Sequence, residues 1–310
     1  MRILPLIALL GGALAGQARA DEAQDWLRRL TQAERQDFQG TFVYERNGSF
    51  STHSIWHKGR AGDVTERLLQ LDGPAQEVLR VGGRPQCVSG ALVDQVADVH
   101  WPARHLDAAQ LEKRYELRLL GRSRVAGRPA MVLALVPRDQ HRYAFELHLD
   151  EESALPLKSL LISEKGQLLE RFQFVSLQLA ERLDERALRP GSSCKEVSLS
   201  KASVLSPAWK AGWVPPGFEL SQALQRSSPA SSEPVVSLLY GDGLARFTIF
   251  LEPLHGAGAE DARSQLGPTA VVSRRMSTTD GDLMVTVVGE IPLGTAERVA
   301  LSMQSVAGGQ

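Results

Sequence analysis

Gln39-Gly40-Thr41-Phe42-Val43-Tyr44-Glu45-Arg46-Asn47-Gly48-Ser49-Phe50-Ser51-Thr52-His53-Ser54-Ile55-Trp56-His57 is the stretch on which the fold turns. Asn47-Gly48 supplies two residues that tolerate positive φ, as a two-residue hairpin loop requires, so the flanking segments read as paired antiparallel strands. Alternation places Phe42 and Tyr44 on one face and Thr41, Val43 and Glu45 on the other. The hairpin opens a long antiparallel sheet that extends to about Leu179.

Downstream, Val64–Leu71, Gln76–Val81 and a short strand around Cys87 are separated by Asp72-Gly73-Pro74 and Gly82-Gly83, the spacing of a meander. Asp98–Leu106 reads as a loop and Ala108–Arg114 as a short helix. Glu116–Val125, Ala130–Val136, Arg142–Leu149, Leu157–Ser163 and Leu168–Leu179 then read as consecutive hairpin-linked strands. Met131–Val136 is apolar on both faces, and the last strand opposes Leu168, Phe172 and Phe174 to Leu169, Val175 and Leu177. A sheet apolar on both sides needs cover on both. Upstream, Asp21–Gln36 is an amphipathic helix with Ala23, Trp26, Leu27, Leu30 and Ala33 on one side and Arg28, Arg29, Gln32 and Arg35 on the other. It covers part of one face and leaves the rest to other helices, a second domain or an apolar ligand.

Residues 1–20 carry Arg2, an apolar run from Ile3 to Ala15, and Ala18-Arg19-Ala20 ahead of Asp21, the layout of a secretory signal peptide. Asp21, not cysteine, stands directly after Ala20, so a lipoprotein anchor is not expected and the periplasm is the expected compartment. The remaining residues, about 290, exceed one typical domain. The expected division is 21–180, a linker over 181–212 that loses periodicity and holds Arg189-Pro190-Gly191-Ser192-Ser193, and 213–306. The second unit opens at Trp213-Val214-Pro215-Pro216-Gly217-Phe218. It continues as a strand over Glu219–Arg226, a loop over Ser227–Pro234, a hairpin of Val235–Tyr240 and Leu244–Leu251 about Gly241-Asp242-Gly243, and a second hairpin of Ala270–Met276 and Leu283–Val288. A terminal helix over Gly294–Gln304, with Thr295 as N-cap, closes it. The fold class is therefore α+β in two domains, a large antiparallel sheet with helices and a small antiparallel sheet with a terminal helix.

With 35 basic against 36 acidic residues the net charge is -1, which argues against a nucleic-acid partner. The motifs of serine hydrolases, zinc peptidases, phosphate loops and dinucleotide sites are absent, so the chain reads as non-enzymatic and without a cofactor. His53 and His57 share a strand, with Cβ atoms ~13 Å apart, too far for one ion, and read as sheet surface. Asp139 and His141 flank a turn and lack a third group. Trp213 and Phe218 flank Pro215-Pro216 where two domains would meet, as anchors for a partner or as packing of the second domain itself. Arg274-Arg275 with Arg246, Arg263 and Arg298 make that domain locally basic, which suits an acidic peptide or lipid phosphate as well as a solvated face. Cys87 and Cys194 are the only cysteines; an oxidising compartment permits a bridge between them, and the sequence leaves bonded and free states open.

Phe38-Gln39-Gly40-Thr41-Phe42-Val43-Tyr44, Leu69-Gln70-Leu71-Asp72-Gly73-Pro74, Arg138-Asp139-Gln140-His141-Arg142-Tyr143, Leu155-Pro156-Leu157-Lys158, Trp213-Val214-Pro215-Pro216-Gly217-Phe218 and Tyr240-Gly241-Asp242-Gly243-Leu244 occur together and in order. As a set they resemble the MucB/RseB family of periplasmic regulators of the envelope-stress sigma factor, and most closely its pseudomonad branch. The resemblance implies an N-terminal domain similar to the lipoprotein carriers LolA and LolB, an unclosed β-barrel with helices on its concave face, and a smaller C-terminal domain. It also implies binding to the periplasmic part of a single-span anti-sigma factor of the MucA or RseA type, protection of that factor from site-1 proteolysis, and relief by lipid or lipopolysaccharide. On that reading Trp213, Phe218, Tyr240, Arg246 and Phe247 are the candidate peptide contacts, and Val132, Ala134, Leu160, Phe172 and Phe174 the candidate lipid contacts. The alternative is a lipid or lipoprotein carrier. Homo-oligomerisation is open.

Overall fold

The computed structural model describes residues 11–33, 35–59, 64–74, 76–89, 106–197, 203–204, 208–227, 234–254, 260–278 and 281–306. Asn47 and Gly48 take φ of 56° and 73° and close the expected hairpin. Its strands, β1 (Asp37–Arg46) and β2 (Ser49–Lys58), pair in register from Arg46 opposite Ser49 to Phe38 opposite His57. β1 is the middle strand of an eleven-stranded antiparallel sheet. On one side of it follow β2, β3 (Thr65–Gln70), β4 (Glu77–Val81), β5 (Arg84–Val88) and a two-residue β11 (Lys195–Glu196). On the other side lies β10 (Leu168–Ala180), then β9 (Pro156–Ile162), β8 (Ala144–Asp150), β7 (Arg128–Pro137) and β6 (Tyr115–Val125). The sheet stays open, with β11 and β6 at its ends, so the expected unclosed architecture is what forms.

One face of this sheet carries the core. Across β1 and β10, Phe42 stands opposite Phe174 and Tyr44 opposite Phe172, all on the side reached by helix α1 (Gly11–Ala33). α1 lays Ala23, Trp26, Leu27, Leu30 and Ala33 onto it, together with Leu133, Leu135, Leu147 and Leu149 of the second meander. These are the five residues of the apolar stripe read from the 3.6-residue period. The helix begins at Gly11, inside the stretch read as a signal, and ends at Ala33 rather than Gln36 because the chain turns there to enter β1. The packing of Phe174 also explains Gly40. A Cβ at Gly40 would lie 2.4 Å from the carbonyl oxygen of Ser176 and 2.9 Å from the Phe174 ring. Helix α2 (Ala108–Arg114) is as expected, capped by Asp107, whose Oδ1 accepts from the amides of Ala109 and Gln110. Apart from Leu106, the Asp98–Leu106 loop lies outside the described residues.

The two strand histidines correct the surface reading. His53 and His57 are buried, because β2 turns both toward the aromatic face: His57 stacks on Phe38 with centroids 4.5 Å apart and His53 on Phe42 at 5.1 Å. His57 Nδ1 meets Glu66 Oε1 at 3.1 Å inside the sheet. At the far side, Asp150 is fully buried at the β8–β9 turn, where Arg128 grips both carboxylate oxygens at 2.7 and 2.9 Å and Ser153 donates its amide and hydroxyl.

The C-terminal sheet has seven strands in the order β12 (Ser203–Val204), β14 (Glu219–Ser227), β15 (Pro234–Gly241), β16 (Arg246–Pro253), β19 (Gly281–Gly289), β18 (Thr269–Thr278) and β17 (Ala262–Leu266). Helix α3 (Leu293–Leu301) buries Ala296, Val299 and Ala300 against Leu238, Ile249, Val272, Val285 and Val287. Its N-cap is Pro292, not Thr295; Thr295 sits inside the first turn, buried, with its hydroxyl turned to the other domain. After α3, β20 (Met303–Ser305) pairs with β13 (Trp209–Ala211). Most of the expected loop over Ser227–Pro234 lies outside the described residues.

Within 181–212, a 3-10 helix (Glu185–Leu188) and β11 attach to the first sheet, whereas β12 and β13 belong to the second unit. Cys194 is disulfide-bonded to Cys87 of β5, with Cα atoms 5.4 Å apart.

Candidate partner-binding interface between the domains

Three of the sequence motifs meet where the domains touch. Residues 138–143 join β7 to β8 and carry the first, Arg138-Asp139-Gln140-His141-Arg142-Tyr143. The side chain of Arg142 is fully buried. Its Nη2 donates to the carbonyl oxygen of Pro216 at 2.8 Å, and its Nη1 lies 3.4 Å from Asp242 Oδ2. Its guanidinium stands 5.2 Å over the ring of Phe218 and 5.8 Å from that of Tyr115. The motif around Pro215-Pro216 and the one around Asp242 thus converge on one cation. Tyr143 donates its hydroxyl to the carbonyl oxygen of Ile291 at 3.1 Å and accepts from Gln265 Nε2. His141 Nδ1 lies 3.1 Å from Thr295 Oγ1, and its ring meets Trp213 edge-on. Leu244 reaches across to pack against the first domain's core.

A second contact uses the tip of the β1–β2 hairpin. Arg46 bonds Glu290 at 3.0 Å and also Thr269, while Glu170 accepts from both Arg46 and the Tyr44 hydroxyl. The β17–β18 turn approaches so closely that a Cβ on Gly267 would overlap Asn47 Oδ1. Gly217 has a similar reason to lack a side chain, since a Cβ there would lie 2.4 Å from Arg114 Nε, and its φ of 91° suits glycine.

The junction buries several polar atoms together. Among the described residues, Arg142 Nε and Nη1, Asp242 Oδ2 and the Tyr115 hydroxyl are buried without a protein hydrogen-bond partner, and Nη1 and Oδ2 face each other as an ion pair. Burial raises the Asp242 carboxyl above its ordinary range despite Arg142 and the amides of Ala245 and Leu244, and burial likewise pushes the Tyr143 hydroxyl up to about 12. His141 is lowered by burial. A charged pair at 3.4 Å that leaves lone pairs and N–H groups unmet is held at a cost, since desolvation is only partly repaid.

The candidate residues fall as follows. Phe218, Tyr240 and Phe247 are buried and stack on one another, Tyr240 on Phe247 at 5.2 Å and Phe218 against Phe247 at 5.3 Å. Trp213 is half-buried between His141 and Arg298, whose guanidinium lies 3.8 Å above its ring, and Arg246 is half-buried at the start of β16. The apolar candidates divide between two faces. Phe172 and Phe174 belong to the core under α1, whereas Val132, Ala134 and Leu160 alternate away from it, sharing the opposite face with Glu146 and His148. The basic patch is largely neutralised: Arg274 pairs with Asp261, Arg275 with Asp282, and Arg263 lies 3.8 Å from Glu297.

The sequence reading gave Arg142, Tyr143 and Thr295 no contact role, placing the first two at the start of a strand and Thr295 at a helix N-cap. A signal was present, because a run of charged and aromatic residues joins two apolar strands where a short polar turn would have served. Among the described residues no group of His, Cys, Asp and Glu side chains is placed to hold a metal ion, and no helix is long and apolar enough to cross a membrane.

An unclosed antiparallel sheet with helices and a smaller sheet with a terminal helix are what the motif set implied, and the chain belongs to the MucB/RseB family. The family's N-terminal domain matches residues 22–192 and its C-terminal domain residues 204–304. Among individual relatives, the sigma factor AlgU regulatory protein MucB of Pseudomonas aeruginosa is 60% identical over 100% of both chains. The sigma-E factor regulatory protein RseB of Haemophilus influenzae is 28% identical, covering 92% of this chain and 93% of its own. The solved MucA/MucB complex of Pseudomonas aeruginosa contains a chain 61% identical to this one, with a TM-score of 0.81 over 92% of this chain and 99% of that one.

Proposed function

We propose that this protein is a periplasmic, non-enzymatic regulator that binds the periplasmic part of a MucA-type anti-sigma factor and shields it from site-1 proteolysis, and that lipid or lipopolysaccharide relieves the binding. The observation that carries this reading is the likeness, over nearly the whole chain, to a relative solved together with MucA. The junction gives it a mechanism. The Arg142–Asp242 pair is buried at a desolvation cost that opening the junction relieves, so a ligand that prefers one domain arrangement shifts the population by its differential affinity. The partner segment binds the C-terminal domain and the cleft beside it, touching Trp213 and Arg246 directly, with Phe218, Tyr240 and Phe247 supporting that surface from below. Lipid engages the N-terminal sheet on one face, either the Phe172 and Phe174 side or the Val132, Ala134 and Leu160 side.

The test is calorimetric titration of residues 21–310 with the periplasmic segment of the cognate anti-sigma factor, with and without lipopolysaccharide fragments. Binding that weakens when lipid is added is expected. No binding to the segment, with acyl chains retained and passed to an acceptor, would overturn the regulator in favour of a carrier.

A further inference from the structure

Where β10 leaves the first sheet, Arg182, Leu183, Asp184, Glu185, Arg186 and Arg189 line a shallow hollow of about 450 Å³. Leu183 is buried at its base, and the three arginines are exposed. Of the two acids, Glu185 holds Lys58 at 2.9 Å, while Asp184 Oδ1 accepts from the amide of Arg186 at 2.9 Å and keeps its charge, so three arginines face one uncompensated carboxylate. Among the described residues no carboxylate pairs with Arg182, Arg186 or Arg189, in contrast to Arg46, Arg67, Arg128, Arg171, Arg274 and Arg275.

The backbone that carries these arginines is fixed to the sheet at several points. Asp37 Oδ2 accepts from the amide of Leu183 at 3.1 Å, Arg67 donates to the carbonyl oxygen of Ala187 at 3.0 Å, and Glu77 Oε2 accepts from the amide of Gly191 at 2.9 Å. The Cys87–Cys194 bridge closes the far end. A basic stretch that serves only solubility has no need of such anchoring. Guanidinium groups that line one hollow on a fixed backbone are suited to the paired oxygens of phosphate, which they can bind through forked hydrogen bonds.

We infer that this hollow is a binding site for a phosphate-bearing anion, at a place separate from the domain junction. The shared chemistry is a phosphate monoester or pyrophosphate group, carried either by a lipid headgroup or by a soluble molecule. The test uses the chain from residue 21 onward with two probes, inorganic pyrophosphate in calorimetry and phosphatidylcholine vesicles with or without phosphatidic acid in co-sedimentation. Wild type should bind at least one, and the combined variant R182Q/R186Q/R189Q, with an unchanged melting temperature, should bind that probe about thirtyfold more weakly, the product of three exposed ion pairs. Pyrophosphate binding alone assigns a soluble ligand, and retention only by phosphatidic acid vesicles assigns a lipid. If the combined variant fails to fold, each single replacement should weaken binding about threefold. Binding of neither probe by wild type, or equal binding by wild type and variant, overturns the inference. The site extends the lipid arm of the proposed function but fails separately from it, because the same variant should bind the anti-sigma segment as wild type does.

Discussion

Arg142 and Asp242 form the contact that sequence pattern alone could not reveal, because burial of a loop arginine depends on a surface contributed by residues some hundred positions away. Arg142→Met removes the cation but leaves Asp242 enclosed, and breaking a buried pair from one side costs about 3–5 kcal/mol. Urea denaturation should show that loss. Asp242 also sets a pH dependence. Its carboxyl takes up a proton in the folded chain above the ordinary value of 3.8, at a pH where the unfolded chain still lacks it. This group therefore favours the folded state increasingly as pH falls through that window, and its contribution is unfavourable at neutral pH. The difference in unfolding free energy between wild type and Asp242→Asn, followed from about pH 7 to about pH 4, should carry that slope with that sign. Gly40, in contrast, lies inside a strand, where turn chemistry gives no reason for glycine. Gly40→Val should destabilise by about 1–3 kcal/mol through collision with Ser176 and Phe174, measured by the same denaturation.

Long elements with strong periodicity were legible. The α1 stripe, the Asn47-Gly48 hairpin and the five strands of the second meander follow from side-chain direction and turn chemistry, and all formed with boundaries shifted by a few residues. Short or irregular elements were not. β17 reads Ala262-Arg263-Ser264-Gln265-Leu266 and is exposed throughout, so it has no buried face to leave an alternation. β11, β12, β13 and β20 are two or three residues long and are defined by their partners rather than by their own residues. Thr295 looked like a cap because capping threonines and buried interface threonines are the same residue to a pattern search. The bridge from Cys87 to Cys194 holds β11 at the sheet's end. Cys194→Ser should lower stability by about 4–5 kcal/mol on the chain-entropy account, for a loop spanning 107 positions. Hydrogen exchange should show β5 and β11 losing protection before β1 does.

At the level of the molecule, the two domains touch through two separate patches, one around Arg142 and one around Arg46. Because both are parts of a single junction, their losses should not add independently. Arg46→Ala should weaken the hairpin-tip contact, and Arg46→Ala with Arg142→Met should separate the domains outright. An increase in radius of gyration by small-angle scattering beyond the sum of the single changes is the expected result. Most of the candidate site was legible as motifs but not as a place: Arg138–Tyr143, Trp213–Phe218 and Tyr240–Leu244 each stood out in the sequence, and only the fold brings the last two onto Arg142.

By holding the chain to the first sheet at Cys194, the disulfide sets the length of the leash between the domains. Val197 still donates its amide to the carbonyl oxygen of Gln86 and β12 begins at Ser203, so five residues, 198 to 202, join one sheet to the other. Even fully stretched they span roughly 20–25 Å. When the junction lets go, neither domain can drift far, and each meets the other at a local concentration on the millimolar scale. Opening is thus an intramolecular event with a built-in return. Reduction of one covalent bond would free β11 and lengthen that leash.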